Sequence, residues 1–388
     1  MYKIKTLNKI SKKGLGILGK NYEISDDCEN PDGIILRSFK MHDMELPESL
    51  RAVARAGAGV NNIPLDKCSE KGIVVFNTPG ANANAVKELV ICSLLLSSRK
   101  VVQGINWAKT LKDEGDQAAS LVEKGKSNFV GPEIYGKTLG VVGLGAIGVK
   151  VANAAHHLGM NVVGYDPYLS VDSAWHLTRF AEKATSFDDL LAQSDYITIH
   201  VPALPSTIGM FNSEAFAKMK KGARLLNFSR DTLVDTTDIQ AALEDGTVSC
   251  YVTDFATADL LNNDKVICMP HLGASTEEAE DNCARMAVVE LMDYIDNGNI
   301  VNSVNYPACQ AGVCPEGMFR IAVLYNSSDL AMGSVTEILE PIVAEFDMVD
   351  NQRDEHGYAL ITLTENLADE VLERIAELDG AYLVRRVK

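Results

Sequence analysis

The sequence lacks the features that would mark a membrane-spanning or a disulfide-stabilised secreted protein. No stretch of its 388 residues approaches the roughly 18 consecutive apolar residues of a transmembrane helix. The basic N-terminus has only short apolar runs and no apolar core of a signal peptide. The eight cysteines are scattered, and none form a C-x-x-C pair. We therefore expect reduced thiols, no metal site and a cytoplasmic location.

Positive charge is also scarce, since 36 lysines and arginines face 53 aspartates and glutamates, for a net charge of −17. Nucleic-acid binding needs a basic surface that neutralises phosphates, so this balance excludes a nucleic-acid partner. The hydrophobic fraction of 46% is ordinary for a soluble globular protein. At roughly 150 residues per domain, the length predicts two or three domains. An anionic ligand would require cations concentrated at its site.

Short apolar segments alternate along the chain with segments of helical periodicity. GIILRS (33–38) and GIVVFNTPG (72–80) have the pattern of buried strands that end in polar or turn residues. TLGVVGLG (138–145), DYITIHVP (195–202) and KVICMPH (265–271) repeat it. Nearly continuous apolar strands separated by helices predict an α/β fold, in which parallel sheets are covered on both faces.

The pattern changes near the C-terminus. The stretch 301–317 contains two prolines and two glycines and has little periodicity, so residues 308–317 are predicted to be a linker. After it, alternating strand patterns and helical patterns follow in the order β-α-β-β-α-β. Residues 318–388 are therefore predicted to form a small separate α+β domain.

A glycine-rich loop carries the strongest local signal. Gly143, Gly145 and Gly148 match G-x-G-x-x-G, with a strand before the loop and a helix after it. A second strand ends at Asp166, 18 positions after Gly148. This context is typical of dinucleotide binding, and an aspartate at the ribose favours NAD over NADP. The expected loop contacts are Gly143, Gly145, Ala146, Ile147 and Gly148. The alternative is a glycine turn in a protein without cofactor.

Several spaced motifs resemble one family. In order, they are RAGAGVNNIPLD, NTPGANANAVKELV, GKTLGVVGLGAIG, GYDP, LLNFSRDTLVD and MPHLGAST. Together they are similar to the D-isomer-specific 2-hydroxyacid dehydrogenases, over roughly residues 30–307. The tail resembles an ACT domain, which such dehydrogenases often carry.

The resemblance implies a fold with two Rossmann-like, doubly wound parallel-sheet domains and a small ACT-like (ferredoxin-like) α+β domain. The substrate-binding domain is expected to be discontinuous. The implied division is residues 1–100 and 281–307 for substrate binding, 101–280 for NAD binding, and 318–388 for the ACT-like regulatory or oligomerisation domain.

The resemblance also implies catalytic residues. His271, in PHLGAST, matches the acid/base histidine, and Arg230 matches the arginine that orients the substrate carboxylate. Asp259 falls where the family has a glutamate that favours the protonated histidine, and it is one methylene shorter. Asp231 replaces the glycine that usually follows the arginine. For Arg230, the alternative is a surface ion pair with Asp231 or Asp235.

Further contacts follow from the same resemblance. Those expected at the cofactor are Pro202, Phe228, Ser229, Asp254, Gly273 and Ala274. Those expected at the substrate are Arg37, Ser38, Arg55, Ala58, Gly59, Val60 and Asn82. Arg37 and Ser38 resemble the phosphate-binding pair of family members with a phosphorylated substrate, and the alternative for Arg37 is a surface cation at a strand end.

These expectations combine into one function. The chain is expected to oxidise 3-phospho-D-glycerate to 3-phosphohydroxypyruvate with NAD, the first step of phosphorylated serine biosynthesis, as a homodimer or homotetramer. The alternatives are a dehydrogenase of another D-2-hydroxy acid and a non-catalytic NAD-sensing binding protein. For the ACT-like domain, the resemblance leaves serine open as an effector. Its first loop lacks the usual proline, and the alternative is a dimerisation module without a ligand.

Overall fold

The computed structural model describes residues 1–388, which divide into two compact units. We call residues 1–82 and 277–388 the terminal unit, and residues 83–276 the central unit. No helix in either unit is both long enough and apolar enough to cross a membrane.

Strands and helices alternate over most of the chain. The strands are β1 (Tyr2–Leu7), β2 (Tyr22–Ile24), β3 (Gly33–Leu36), β4 (Ala52–Arg55), β5 (Val74–Phe76), β6 (Thr138–Val142), β7 (Asn161–Tyr165), β8 (Glu182–Lys183), β9 (Tyr196–Ile199), β10 (Ala223–Asn227), β11 (Val248–Thr253), β12 (Val266–Cys268), β13 (Phe319–Asn326), β14 (Phe346–Arg353), β15 (His356–Leu363) and β16 (Ala381–Arg386). The α-helices are α1 (Lys12–Leu15), α2 (Leu65–Glu70), α3 (Ala83–Arg99), α4 (Val101–Thr110), α5 (Ala118–Gly125), α6 (Ala146–His157), α7 (Val171–His176), α8 (Phe187–Gln193), α9 (Ser213–Lys218), α10 (Thr236–Glu244), α11 (Ala258–Leu261), α12 (Glu277–Asn297), α13 (Met332–Leu339) and α14 (Asp369–Ala376). Short 3-10 helices cover Gly115–Gln117, Lys126–Phe129 and Asp231–Leu233.

The central unit contains a parallel sheet of seven strands in the order β12-β11-β10-β9-β6-β7-β8. This is the 3-2-1-4-5-6 order of dinucleotide-binding domains with one strand added. Every residue of β9 is buried, as the continuous apolar pattern predicts for a strand covered on both faces. The strand order reverses between β6 and β9, and ligands of such sheets bind beyond the carboxyl ends of the strands at this point.

Helix α3 belongs to the central unit, whereas the family resemblance implies a domain boundary at residues 100/101. Its residues Val86, Val90 and Leu94 are buried in one cluster with Leu139 and Val141 of β6. Burial of this apolar face against the seven-stranded sheet determines where the helix packs. The first unit boundary therefore lies at residues 82/83, seventeen residues before the end of the helix.

The terminal unit contains a second parallel sheet, of five strands in the order β2-β1-β3-β4-β5. This 2-1-3-4-5 order is the other common order of doubly wound folds. Helix α12 packs on it and buries Ala284, Ala287, Val288 and Leu291 in the same cluster as Ile35 of β3. Since α12 starts at Glu277, the second unit boundary lies just before it rather than at residues 280/281. The prediction of two doubly wound parallel sheets is therefore confirmed.

The C-terminal residues form the predicted small α+β fold. An antiparallel sheet in the order β14-β15-β13-β16 carries α13 and α14, in the chain order β-α-β-β-α-β. One face of β13, with Val323 and Tyr325, is buried together with the two helices. The alternate residues Ala322 and Leu324 join the cluster that contains α12. Because strand residues alternate between faces, this sheet is buried on both sides. It therefore shares a core with the five-stranded sheet, which sequence analysis did not predict.

A buried arginine ties the C-terminal sheet to the predicted linker. Arg320 of β13 is 1% exposed. Its guanidinium donates to the carbonyl oxygens of Asn297, Ala311 and Gly312, and its Nε donates to Thr362 Oγ1. Residues 311 and 312 are thus tied to β13 through the guanidinium of a buried arginine.

A buried carboxyl group in α12 makes the stability of the terminal unit depend on pH. Glu290 is 7% exposed, its Oε1 accepts a hydrogen bond from Asn302 Nδ2 (2.6 Å), and its Oε2 has no partner. Burial raises the pKa of Glu290 to about 7, and the hydrogen bond from Asn302 opposes this shift only partly. The folded protein therefore binds this proton more tightly than the unfolded chain does, and stability falls as the pH rises from about 4.5 to about 7.

We predict that Glu290→Gln stabilises the protein above pH 7 and has little effect at pH 4.5. The amide keeps an acceptor for Asn302 and removes the buried charge, which costs on the order of 3 kcal/mol when fully ionised. Thermal midpoints of the full chain at several pH values measure the difference. Glu278→Gln, an exposed change on the same helix, is the control and should show no such trend. A difference between Glu290→Gln and the parent that is constant with pH would contradict the assignment.

Candidate functional site

The loop after β6 has the geometry that a diphosphate needs. Gly143 has a φ of +88°, and a Cβ there would lie 2.5 Å from the carbonyl oxygen of His200. A Cβ at Gly148 would lie 1.9 Å from the carbonyl oxygen of Gly143, so this glycine lets α6 approach the loop. At Gly145 no atom lies within 4 Å of the Cβ position. The open space at Gly145 therefore fits a pyrophosphate at the N-terminus of α6, where Ala146 and Ile147 start the helix.

Asp166 is held in place by the same loop. It follows β7, its Oδ2 accepts a hydrogen bond from the Leu144 amide (2.8 Å), and its Oδ1 accepts one from the Tyr168 amide (2.8 Å). Each carboxylate oxygen has a second lone pair, so both remain able to accept from the two ribose hydroxyls. A carboxylate fixed in this way would repel a 2′-phosphate. The residues thus fit NAD.

The other predicted cofactor residues follow neighbouring parallel strands. Pro202 follows β9, Phe228 and Ser229 follow β10, Asp254 follows β11, and Gly273 and Ala274 follow β12. The carboxyl ends of these strands lie at one edge of the sheet, which brings the six residues to the side expected for the cofactor. The Ser229 hydroxyl donates to the carbonyl oxygen of Ile199 (2.7 Å), which ties the ends of β9 and β10 together.

Asp254 has a role that sequence reasoning missed. Its side chain is buried, and its two oxygens accept hydrogen bonds from the amides of Leu272 (2.8 Å) and Gly273 (2.7 Å). It thereby braces the loop that carries His271. A buried aspartate 17 positions before a loop histidine gives no sequence signal for this contact, because only the pairing of β11 with β12 brings the two together.

His271 lies on this braced loop in an unusual backbone conformation. Its φ is +55°, in the left-handed region that residues other than glycine rarely adopt. The side chain is exposed, and the Phe255 ring lies edge-to-face with the imidazole at 5.4 Å between centroids. The ring nitrogens form no hydrogen bond within the central unit. The imidazole is therefore free to exchange a proton with a ligand.

Arg230 lies at the end of β10 with an exposed guanidinium. Its Nη1 donates to the carbonyl oxygen of Ser229 (2.6 Å). The two neighbouring carboxylates accept from backbone amides instead: Asp231 from Thr232, and Asp235 from the first turn of α10. Neither forms an ion pair with Arg230, so the remaining donors of the guanidinium stay available to a carboxylate.

Asp259 is not joined to His271 in this structure. It lies in the first turn of the short helix α11, is exposed, and forms neither an ion pair nor a side-chain hydrogen bond within the central unit. Thr257 caps this helix by accepting from the Leu260 amide. Catalytic hydrogen bonds often form only when substrate is bound, so the catalytic role of Asp259 stays a prediction.

On the terminal unit, the structure brings two of the predicted substrate arginines together. Arg37 follows β3 and Arg55 ends β4, and the Arg55 Nε donates to the carbonyl oxygen of Arg37 (3.0 Å). Asn62 Nδ2 donates to the same carbonyl oxygen (3.2 Å). A Cβ at Gly57 would lie 2.3 Å from Arg55 Nη1, so a side chain there would displace this guanidinium. The Arg37 guanidinium forms an ion pair with Glu280, which sequence reasoning did not anticipate.

The turn after β4 is open in the way a carboxylate site requires. The amides of Ala58, Gly59 and Val60 form no hydrogen bond within the terminal unit. Asn77 Nδ2 donates to the carbonyl oxygen of Ala58 (2.7 Å) and fixes the turn. Asn82, half-buried, is the last residue of this stretch of the terminal unit, so its predicted contact stays a prediction.

The comparisons agree with the geometry of the central unit. Residues 93–273 match the family model described as D-isomer specific 2-hydroxyacid dehydrogenase, NAD binding domain. The match covers a little under half of the chain. NAD is therefore the cofactor of this NAD-binding domain, as the glycine loop and Asp166 predict.

Curated relatives extend the likeness beyond the matched residues. The chain is 34% identical over 298 residues to D-3-phosphoglycerate dehydrogenase of Homo sapiens, which covers 74% of this chain and 53% of that protein. It is 32% identical over 327 residues to D-3-phosphoglycerate dehydrogenase of Bacillus subtilis (strain 168), covering 79% and 60%. The chain thus spans about half the length of the curated relatives it matches.

Solved structures share the fold. The NAD⁺-bound 3-phosphoglycerate dehydrogenase of Entamoeba histolytica superposes with a TM-score of 0.63 at 26% identity, covering 78% of this chain and 98% of that one. The holo form of D-mandelate dehydrogenase of Rhodotorula graminis gives a TM-score of 0.66 at 22% identity, covering 78% and 97%. At that identity the second likeness concerns the fold alone.

We predict that alanine substitutions at two glycines of the NAD-binding domain have different effects, one on cofactor binding alone and the other on folding as well. Gly145→Ala places a methyl group in open space of the free protein, at a negative φ, so the fold should keep its thermal midpoint. The methyl group would occupy the approach of the pyrophosphate and weaken NADH binding at least tenfold. Gly148→Ala, the matched comparison, clashes with backbone and should lower the thermal midpoint as well. NADH fluorescence titration with melting curves measures both, and unchanged NADH affinity in Gly145→Ala would refute the assigned role.

Proposed function

We propose that the chain is an NAD-dependent D-3-phosphoglycerate dehydrogenase. It oxidises 3-phospho-D-glycerate to 3-phosphohydroxypyruvate, the first step of phosphorylated serine biosynthesis. The observation that carries the proposal is the end of the seven-stranded sheet. There the neighbouring strands β10, β11 and β12 lead into Arg230, Asp254 and His271 on the NAD-binding domain. The names of the curated relatives support the same reaction.

The roles follow from the chemistry of each side chain. His271 takes the proton of the 2-hydroxyl group, since a neutral imidazole nitrogen accepts a proton and this ring has no hydrogen-bond partner in the central unit. Arg230 binds the substrate carboxylate with its planar fork and orients the reacting carbon. When bound, NAD supplies the nicotinamide that accepts a hydride. Asp254 is a positioning residue, because it holds the loop that carries His271.

Substrate selection is assigned to the terminal unit. The free amides of Ala58, Gly59 and Val60 suit carboxylate oxygens, because small residues let an anion reach the backbone. Arg37 and Arg55 provide charge for the phosphate group, and the Ser38 hydroxyl, exposed and without a partner in the terminal unit, adds a donor. These two arginines bring positive charge to the site in a chain with a net charge of −17, and Glu280 balances that of Arg37 in the free protein.

We further propose a homodimer in the cytoplasm. The central unit exposes apolar side chains at Ile105, Val130 and Tyr135, the last two more than 70% exposed. Exposed apolar side chains of this size are available for an interface between copies. A homotetramer through the C-terminal domain, and serine binding there, belong to the same proposal. In the first loop of the C-terminal domain, Asn326 Oδ1 accepts a hydrogen bond from the Ser328 amide, so a serine ligand would have to share this oxygen.

The test is NADH formation with 3-phosphoglycerate, compared with D-glycerate, D-lactate and D-2-hydroxyglutarate. We expect 3-phosphoglycerate to have the highest kcat/KM. His271→Asn should lower kcat by roughly 10²- to 10⁴-fold, with unchanged NADH affinity, because only proton transfer is lost. Turnover of unphosphorylated acids alone would favour another D-2-hydroxyacid dehydrogenase. No turnover with any of them, despite NADH binding, would favour the NAD-sensing alternative.

Asp259 has its own test. If substrate binding brings its carboxylate to His271, it favours the protonated imidazole. Asp259→Asn should then move the midpoint of the acidic limb of the pH–rate profile to lower pH and reduce kcat/KM. Asp264→Asn, an exposed change a few residues along the chain, is the control. An unchanged profile in Asp259→Asn would exclude the catalytic role.

A further inference from the structure

The arginine assigned to the substrate phosphate is already paired with a carboxylate. Arg37 Nη1 lies 2.5 Å from Oε1 of Glu280, in the first turns of α12. The two side chains are 36% and 48% exposed, so the pair is accessible to solvent and to a ligand. A bound phosphate would have to share this guanidinium with Glu280 or take it away.

The backbone around Arg37 is held firmly, so only its side chain can exchange partners. Its carbonyl oxygen accepts from Arg55 Nε and Asn62 Nδ2. Asn8 Oδ1 accepts from the amides of the next two residues, Ser38 (3.1 Å) and Phe39 (2.7 Å). These contacts anchor the start of the side chain, while its guanidinium is bound by a single ion pair.

Of the two adjacent carboxylates Glu280 and Asp281 in α12, only Glu280 pairs with Arg37. The adjacent Asp281 is engaged elsewhere, with Ser11 Oγ (2.5 Å) and Lys13 Nζ (2.6 Å). Burial raises the pKa of the nearby Cys283 thiol, and the charges of Arg37 and Arg55 lower it while that of Glu280 raises it.

We propose that Glu280 is a specificity-determining residue that competes with the substrate's distal phosphate for Arg37. In the free protein, Glu280 neutralises and positions the guanidinium. A dianionic phosphate displaces it, because phosphate oxygens match the guanidinium fork and carry more charge than a carboxylate. A substrate with a neutral distal group leaves the pair intact. Glu280 thereby lowers the affinity of Arg37 for anions, so that free phosphate binds weakly. The inference rests on the proposed function.

The decisive measurement is binding of inorganic phosphate to the full chain by calorimetry at constant ionic strength. Glu280→Gln keeps an acceptor for Arg37 but removes the charge. We expect it to tighten phosphate binding roughly three- to fivefold, the range of an exposed ion pair. Asp281→Asn removes the same charge one residue away and should change binding by less than half of that. On an Arg37→Ala background, Glu280→Gln should have no effect, because the competition is then absent.

Steady-state kinetics provides the second readout. Glu280→Gln should lower KM for 3-phosphoglycerate by a similar factor and leave KM for D-glycerate unchanged, with the change in KM rather than kcat. Equal effects of Glu280→Gln and Asp281→Asn, or an effect that persists without Arg37, would overturn the proposal in favour of a general field effect. Weaker phosphate binding in Glu280→Gln, or none in any variant, would overturn it as well.

The two proposals can fail separately. An Arg37-dependent gain in phosphate affinity without turnover of 3-phosphoglycerate would retain the competition and remove the proposed function. Turnover of 3-phosphoglycerate with no response to Glu280→Gln would retain the function and remove the competition.

Discussion

Parallel hydrogen bonding between strands is the constraint on which the rest of this structure depends. In the seven-stranded sheet every strand points the same way, so the carboxyl ends of β6, β7, β9, β10, β11 and β12 lie at one edge. Residues far apart in sequence are brought there because each follows a strand. The glycine loop, Asp166, Arg230, Asp254 and His271 all owe their positions to this rule. The five-stranded sheet repeats it, with Arg37 directly after β3 and Arg55 as the last residue of the neighbouring β4.

Buried or half-buried polar contacts then determine what the charged groups can do. Asp254 accepts two amides and holds the loop on which His271 adopts its left-handed conformation. Glu280 takes the guanidinium of Arg37, so the positive charge intended for an anion is balanced in the free protein. In a chain with a net charge of −17, this ion pair adds a local negative charge at the arginine that is proposed to bind the substrate phosphate.

Most of the fold could be predicted from the sequence. Continuous apolar strands such as TLGVV and YITI can only be buried on both faces, and the glycine loop specifies its own turn and helix start. The sheet against which α3 packs, and the burial of both faces of the C-terminal sheet, could not be predicted from these patterns. An apolar helix face fits either sheet, and the alternating pattern of β13 does not show that both of its faces are covered. Residues 308–317 were predicted to be a linker before a separate C-terminal domain. In the structure, the C-terminal sheet and the five-stranded sheet share one hydrophobic core.

The sequence by itself determined the chemistry present in this protein: a dinucleotide loop, a ribose carboxylate, a histidine after a strand, and arginines in an acidic chain. These features are local, since each depends on a residue type and its distance along the chain from a strand or turn. Only the tertiary structure decided which charges meet. Arg37 and Glu280 are separated by 243 residues, and their contact requires β3 to pack beneath α12. Long-range contacts of this kind arise from the packing of whole elements, which spacing along a chain does not encode.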